Sequence, residues 1–288
     1  MSSAKHAKER AREAGKERPL PESLSLPRVG ADSHAHLDSD QLWPEFESVL
    51  ERAARAGLSH IGQVFLRHSA YLDRRELMGK PRPGLPELFF LLGIHPCDGL
   101  TVTEEEWPAI EEDFRHDDRL RAVGEIGLDF YWKECPRDVQ ERIFRLQLRI
   151  AARLDRPVVI HSRDAFADTL RVLDDEGFAG RPLLWHCFGG DEDAARALLN
   201  RGWHISLPGP VTYPANSALR DAVRIIPGDR LLVETDCPYL APVPWRGRRN
   251  EPALCAFTAA AVAEVRGEAA DELWARCGDN ARRFFGIA

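Results

Sequence analysis

The stretch A-D-S-H-A-H-L-D, Ala31 to Asp38, places His34 and His36 two residues apart at the mouth of an apolar run. If that run is a strand, successive side chains point to opposite faces, so both imidazoles share one face and aim into one space. Neutral imidazole is the commonest nitrogen ligand of divalent transition metals, and two on rigid backbone supply half a coordination shell at little ordering cost. Alone, such a pair is a weak signal and reads more readily as two polar loop residues. Its weight comes from the later apolar runs, most of which end in similar chemistry.

Eight runs of strand length follow one another at 29–33, 58–65, 88–94, 121–126, 157–160, 182–185, 203–207 and 231–234. Helix-period segments separate them, the pattern of βα units and a parallel sheet. Their apolar character without clean alternation indicates strands buried on both faces, and eight is the count that closes a barrel. The fold class expected is α/β, a single-domain (β/α)8 TIM barrel of the metal-dependent hydrolase type, with a doubly wound open sheet as the alternative. The barrel domain should span 30–288, preceded by a charged, flexible N-terminal tail over 1–29. Pro44 suits a first helical position and Gly57 a helix stop. Segment 138–155 gathers Arg142, Arg145, Arg149 and Arg153 on one helical face, read as solvated surface. Segment 253–265 reads as the eighth helix, with 271–277 and 281–285 as two short closing helices.

Composition narrows the classes. Of 288 residues, 44% are hydrophobic and 30% charged, ordinary for a soluble globular chain, and no run approaches a membrane span. The net charge of −7 argues against a generally basic nucleic-acid-coating surface, so a polyanion site must be local. The six cysteines form no C-x-x-C pair and read as reduced, packed residues. The N-terminus has no apolar core of a secretory signal. The expectation is a cytoplasmic monomer without membrane contact or an obligate protein partner.

Where the runs stop, ligating residues gather: His34 and His36 after the first, His95 after the third, Glu125 in the fourth, His161 after the fifth, His186 after the sixth, and Glu234 and Asp236 at the eighth. In a barrel these ends share one rim, the face that carries active sites. His34, His36, Glu125, His161, His186 and Asp236 are enough for two divalent ions, with Glu125 able to bridge them. Paired ions about 3.5 to 4 Å apart suit phosphoester hydrolysis. Mixed imidazole and carboxylate donors accept Mg, Mn, Zn or Ni, and they are unlike the closed thiolate sets of structural zinc.

The motifs D-S-H-A-H-L-D, G-I-H-P, G-E-I-G-L-D-F-Y, H-S-R-D-A, H-C-F-G-G, E-T-D-C-P-Y-L-A-P and R-G-R-R-N-E-P, in this order, resemble the TatD family of metal-dependent deoxyribonucleases over residues 30–288. The resemblance implies an amidohydrolase-type TIM barrel and a divalent-metal-dependent nuclease, often a 3′ to 5′ exonuclease on single-stranded or damaged DNA. It also implies the same six ligands; both histidines of the first motif are kept, which favours two metal positions. The seventh run departs from the family pattern in reading I-S-L-P-G-P-V-T-Y, with Pro208 and Pro210 around Gly209.

Roles follow as expectations. Asp236 and Glu125 are the catalytic carboxylates, with Asp236 taking the nucleophile's proton. Asp32 and Glu234 orient the ligands from behind. Arg163, Arg246, Arg248 and Arg249 contact phosphate, with His95 as a further donor. Tyr131 and Trp132 offer faces on which a base could stack, although packing explains them almost as well. DNA or a nucleotide is the expected substrate. Two readings compete: an amidohydrolase cutting a C–N or ester bond, such as an aminoacyl-nucleic-acid deacylase, and an inactive metal-stabilised binding module. Relatives of the first kind use a modified lysine as the bridge, and no lysine lies at the fourth strand end. The second sits poorly with an intact ligand set.

Overall fold

The computed structural model describes residues 18–288. Eight parallel strands stand in sequence order, β1 Gly30–Ala35, β2 Leu58–Phe65, β3 Glu87–Leu92, β4 Leu120–Asp129, β5 Val158–Arg163, β6 Leu183–Trp185, β7 His204–Leu207 and β8 Leu231–Val233. The helices are α1 Phe46–Arg55, α2 His68–Met78, α3 Glu106–His116, α4 Arg137–Leu154, α5 Phe166–Asp175, α6 Glu192–Leu199, α7 Ser217–Ile225, α8 Cys255–Arg266 and α9 Ala270–Phe285. This is the expected barrel of βα units rather than the open sheet. Among the described residues no helix is long and apolar enough to cross a membrane.

Alternation along the strands divides the core in two. Leu88, Phe90 and Leu92 of β3, Val158 and Ile160 of β5, and Leu231 and Val233 of β8 join the apolar faces of the helices in an outer cluster. Phe89, Leu91, Val159, Leu184 and Leu232 face the other way into an inner cluster, plugged by Phe284 and Phe285 of α9. With a period of two, the next inward positions after Val159, Leu184 and Leu232 are His161, His186 and Glu234. The polar site is thus the continuation of the barrel's own inner layer.

The barrel closes through residues that flank the expected ligands. The Asp236 N–H donates to the His34 carbonyl at 3.0 Å and the His36 N–H to the Cys237 carbonyl at 3.0 Å. The Ser33 hydroxyl bonds to the Val233 carbonyl at 3.1 Å. In place of a β1–β8 ladder there is a single parallel bridge, Ala35 to Cys237.

Three expectations need correction. Residues 18–29 are not a free tail: Pro21 is buried, the Trp245 indole N–H donates to the Pro19 carbonyl at 3.0 Å, and the Trp274 indole to the Pro27 carbonyl at 3.0 Å. A Cβ on Gly57, at φ +94°, would lie 2.8 Å from the Leu26 carbonyl oxygen, so the residue that stops α1 also lets this segment pass. The rest of the expected tail, 1–17, lies outside the described residues. The two short closing helices are one continuous helix, α9, which runs through Gly278. A Cβ there would lie 2.1 Å from the Val29 carbonyl oxygen, so this glycine serves close approach to β1 rather than helix termination. Finally, β5 runs on to Arg163, so His161 sits within its strand rather than just past it, and β4 runs on to Asp129, three residues beyond the expected end of its run.

The arginine stripe of α4 is neutralised surface, as expected. Arg142 pairs with Glu104, Arg145 with Glu141, Asp175 and Glu176, Arg149 with Glu176, and Arg153 with Glu111.

Candidate metal centre

One carboxylate occupies the middle of the rim. Glu125 Oε2 lies 3.3 Å from His34 Nε2 and 3.9 Å from His36 Nε2. Its other oxygen, Oε1, lies 2.5 Å from His161 Nδ1 and 2.9 Å from His186 Nε2. Each oxygen of a single buried side chain therefore faces its own pair of histidines. Asp236 stands on the first pair's side, with Oδ1 3.3 Å from His36 Nε2 and 4.0 Å from His34 Nε2. It takes φ +53° just after β8, a left-handed turn held by its N–H bond to the His34 carbonyl.

The second pair is supported from behind in matching fashion. His186 turns Nδ1 to Glu234 Oε1 at 3.2 Å, and that oxygen also accepts the Cys187 N–H at 2.7 Å. His161 turns Nε2 to Asp129 Oδ2 at 3.0 Å. A carboxylate on the outer nitrogen fixes ring orientation and leaves the inner nitrogen to face the centre. Glu234 thus lies behind the His186 ring. Asp32 acts on the backbone instead: its Oδ1 accepts the N–H groups of His34 (3.2 Å) and Thr235 (2.9 Å), and its Oδ2 accepts the Thr235 hydroxyl at 2.6 Å. Its bonds run to β1 and to the second residue after β8 rather than to any of the imidazoles.

Electrostatics separates the four imidazoles. Burial would push His186 down, but Glu125 and Glu234 outweigh it and hold the ring well above its ordinary value. His161 is likewise raised against burial by Glu125 and Asp129, and His36 by Asp236. His34 is lowered, by burial and by the charge on His186. The same imidazoles overcome burial at Glu125 and hold its carboxyl well below the usual range. Burial raises Asp32 to about 8, against the bonds from Thr235.

His34 provides the test of fit for a metal. It is completely buried, its ring is stacked on that of His186 at 3.9 Å, and neither ring nitrogen has a hydrogen-bond partner among the described residues. Glu234 Oε2 is unpartnered in the same way. Leaving such groups dry and unpaired is costly, and a bound cation relieves it. His34, His36 and Asp236 have ligand atoms within 4.8 Å of one another, as do His34, His186 and Glu234, and as do His95, Glu125 and His161. The residues present fit divalent metal.

The remaining expected contacts divide. His95 Nδ1 accepts the Cys97 N–H at 3.2 Å, which leaves Nε2 carrying the proton, 3.9 Å from Glu125 Oε1. Burial and the His161 charge lower its pKa to about 3, so it is a neutral donor at the rim. Arg163 lies 3.8 Å over the Tyr131 ring and Arg246 4.2 Å over that of Tyr213, both with exposed side chains. Arg248 is exposed. Arg249 is occupied: it donates to the Gln41 carbonyl at 2.7 Å and pairs with Glu45 at 3.1 Å and Glu251 at 3.5 Å. Its guanidinium ties the loop after β8 to the start of α1, and the expectation that it contacts phosphate is withdrawn. Cys97 and Cys187 stay thiols: burial, with Asp129, pushes Cys97 up to about 12, and burial, with Asp236, pushes Cys187 well above its usual value.

Sequence reasoning passed over Asp129 and Gln63. Gln63 accepts the Leu37 N–H at 2.8 Å and donates to Asp38 at 2.9 Å, bracing the loop that carries His36. Asp129 lies in the quoted G-E-I-G-L-D-F-Y motif, four residues beyond Glu125, and a β4 extended to its full length puts both on the same strand.

The family model described as TatD related DNase matches residues 31–286. The chain belongs to the TatD family. It is 35% identical over 256 residues to the uncharacterized metal-dependent hydrolase YabD of Bacillus subtilis, covering 89% of this chain and 98% of the relative. It is also 35% identical over 264 residues to a Citrobacter koseri protein named 3′-5′ ssDNA/RNA exonuclease TatD, covering 89% and 99%. Among solved structures, a TatD homologue of Escherichia coli K12 superposes with a TM-score of 0.83 at 28% identity, over 91% of this chain and 99% of that one. This TatD-family chain is a metal-dependent hydrolase with the barrel of its relatives.

Proposed function

We propose that this TatD-family hydrolase cleaves phosphodiesters of nucleic acid with two divalent ions, trimming single-stranded DNA from its 3′ end. The observation that carries the reading is Glu125, whose two oxygens face separate histidine pairs. His34, His36, Glu125 and Asp236 would hold one ion and Glu125, His161 and His186 the other. Ions so held would activate water and neutralise charge building on the phosphate. Asp236, kept ionised by His36 against the effect of burial, accepts the proton of the attacking water. His95 donates Nε2–H to a non-bridging oxygen, and Arg163, Arg246 and Arg248 attract the strand's phosphates. The exonuclease name of the Citrobacter koseri relative supports the polarity and substrate. Among the described residues no lysine takes the bridging place: Lys133 points to the Phe130 carbonyl, which disfavours the amide-cleaving alternative.

The test is an end-labelled single-stranded oligonucleotide incubated with chelator-treated protein, with Mg or Mn restored, beside Asp236→Asn. Trimming from the 3′ end that returns with metal and is absent in the variant is expected. Uptake of about two metal ions without cleavage would transfer the assignment to a carboxyl-ester or amide hydrolase.

A further inference from the structure

Trp203 and Trp274 are completely buried, yet Tyr131 and Trp132 stand 50% and 49% exposed between β4 and α4, beside the centre. Their placement is not loose. Asp129 Oδ1 accepts the N–H groups of Tyr131 at 2.9 Å and Trp132 at 3.0 Å, while Oδ2 of the same carboxylate meets His161. The two rings meet edge to face, with centroids 5.0 Å apart at 88°. Arg163, two residues beyond His161, lays its guanidinium 3.8 Å over Tyr131 and 5.9 Å from the Trp132 ring. Among the described residues it has no carboxylate partner, in contrast to the paired arginines of α4. A loop that only packed would cover its rings. This one presents two of them under a cation without a counter-charge, and one carboxylate fixes them relative to the histidine that faces Glu125.

We propose that Tyr131, Trp132 and Arg163 form a ledge on which the base beside the scissile phosphate stacks, so that the site selects phosphodiesters carrying a nucleobase. The proposal rests on the nuclease reading above and deepens it. Every base has a π-face, so such a ledge is tolerant of sequence. It favours unpaired strands, because bases within a duplex already stack on one another and must be splayed out before they can reach an aromatic ring. The guanidinium adds a cation–π contact on the base and remains near enough to attract the phosphate.

Calorimetric titration of protein supplemented with Mn²⁺ tests the ledge without requiring turnover. The ligands are 2′-deoxyadenosine 5′-monophosphate and 2-deoxyribose 5-phosphate, which differ only in the base. The unmodified protein should bind the nucleotide roughly tenfold more tightly than the sugar phosphate. Trp132→Ala should erase that difference by weakening the nucleotide alone, and Trp132→Phe should keep most of it. Equal affinities in the unmodified protein, or parallel loss of both ligands in Trp132→Ala, overturn the ledge. The oligonucleotide assay run alongside separates the two readings. A base preference without trimming upholds the ledge and removes the nuclease, and trimming with no base preference does the reverse.

Discussion

Buried and half-buried histidines stand at both ends of the barrel, and their surroundings differ. At the lower end His60 bonds to Ser59 at 2.8 Å, and His204 faces the Phe284 ring at 5.0 Å. No carboxylate lies within ion-pair distance of either among the described residues, and burial lowers both, His204 to about 4. At the upper end His36 and His186 are buried and His161 half-buried, yet all three are raised, because Asp236, Glu125, Asp129 and Glu234 face them. Burial of imidazole is therefore no mark of a site in itself. The mark is a carboxylate shared between rings, with further carboxylates behind them.

The sharpest way to break this contrast is Glu125→Gln, which keeps the shape and removes the shared charge. Hydrolysis should fall by roughly 10³-fold, with metal uptake measured by calorimetry falling in parallel. Activity near the unmodified level would make the upper end no different from the lower. Asp129→Asn and Glu234→Gln should each lower metal affinity by roughly 10 to 100-fold, since they loosen ring orientation but leave the inner nitrogens in place. At the lower end the effect belongs to stability alone. His204 has a folded-state value of about 4 against 6.5, so protonation favours the unfolded chain. Its contribution is present above pH 6.5 and lost as pH falls towards 4. Denaturant unfolding of His204→Gln should remove about 2 kcal/mol of that acid-induced loss, with hydrolysis unchanged. Arg249→Ala should cost about 1 kcal/mol in the same measurement, while KM for oligonucleotide stays put because the side chain serves the loop.

The sequence showed the upper end more clearly than the lower. Strand runs end in ligating residues, and a period of two carries Leu184 to His186 and Leu232 to Glu234, so the inward layer could be counted. Asp129 escaped because β4 runs longer than its apolar core, and nothing local separates a backing carboxylate from a surface one. Arg249 was misplaced for the converse reason: a charge run gives no sign of which guanidinium meets a carboxylate such as Glu45 from a distant segment. The closing segments 271–277 and 281–285 read as two helices because helix propensity is local, whereas Gly278 between them serves the approach of α9 to Val29.

The seam between the first strand and the last has a consequence for durability. Where the other strands share ladders, β1 and the residues after β8 meet by a single bridge and a few bonds around Ser33, His34 and Asp236. An ion held jointly by His34, His36 and Asp236 would fasten the barrel at its weakest join, like a buckle on a hoop. Occupancy at a hundred times the dissociation constant would then add about 2.7 kcal/mol to the closed form. Removal of such an ion would therefore weaken the closure of the barrel as well as its chemistry.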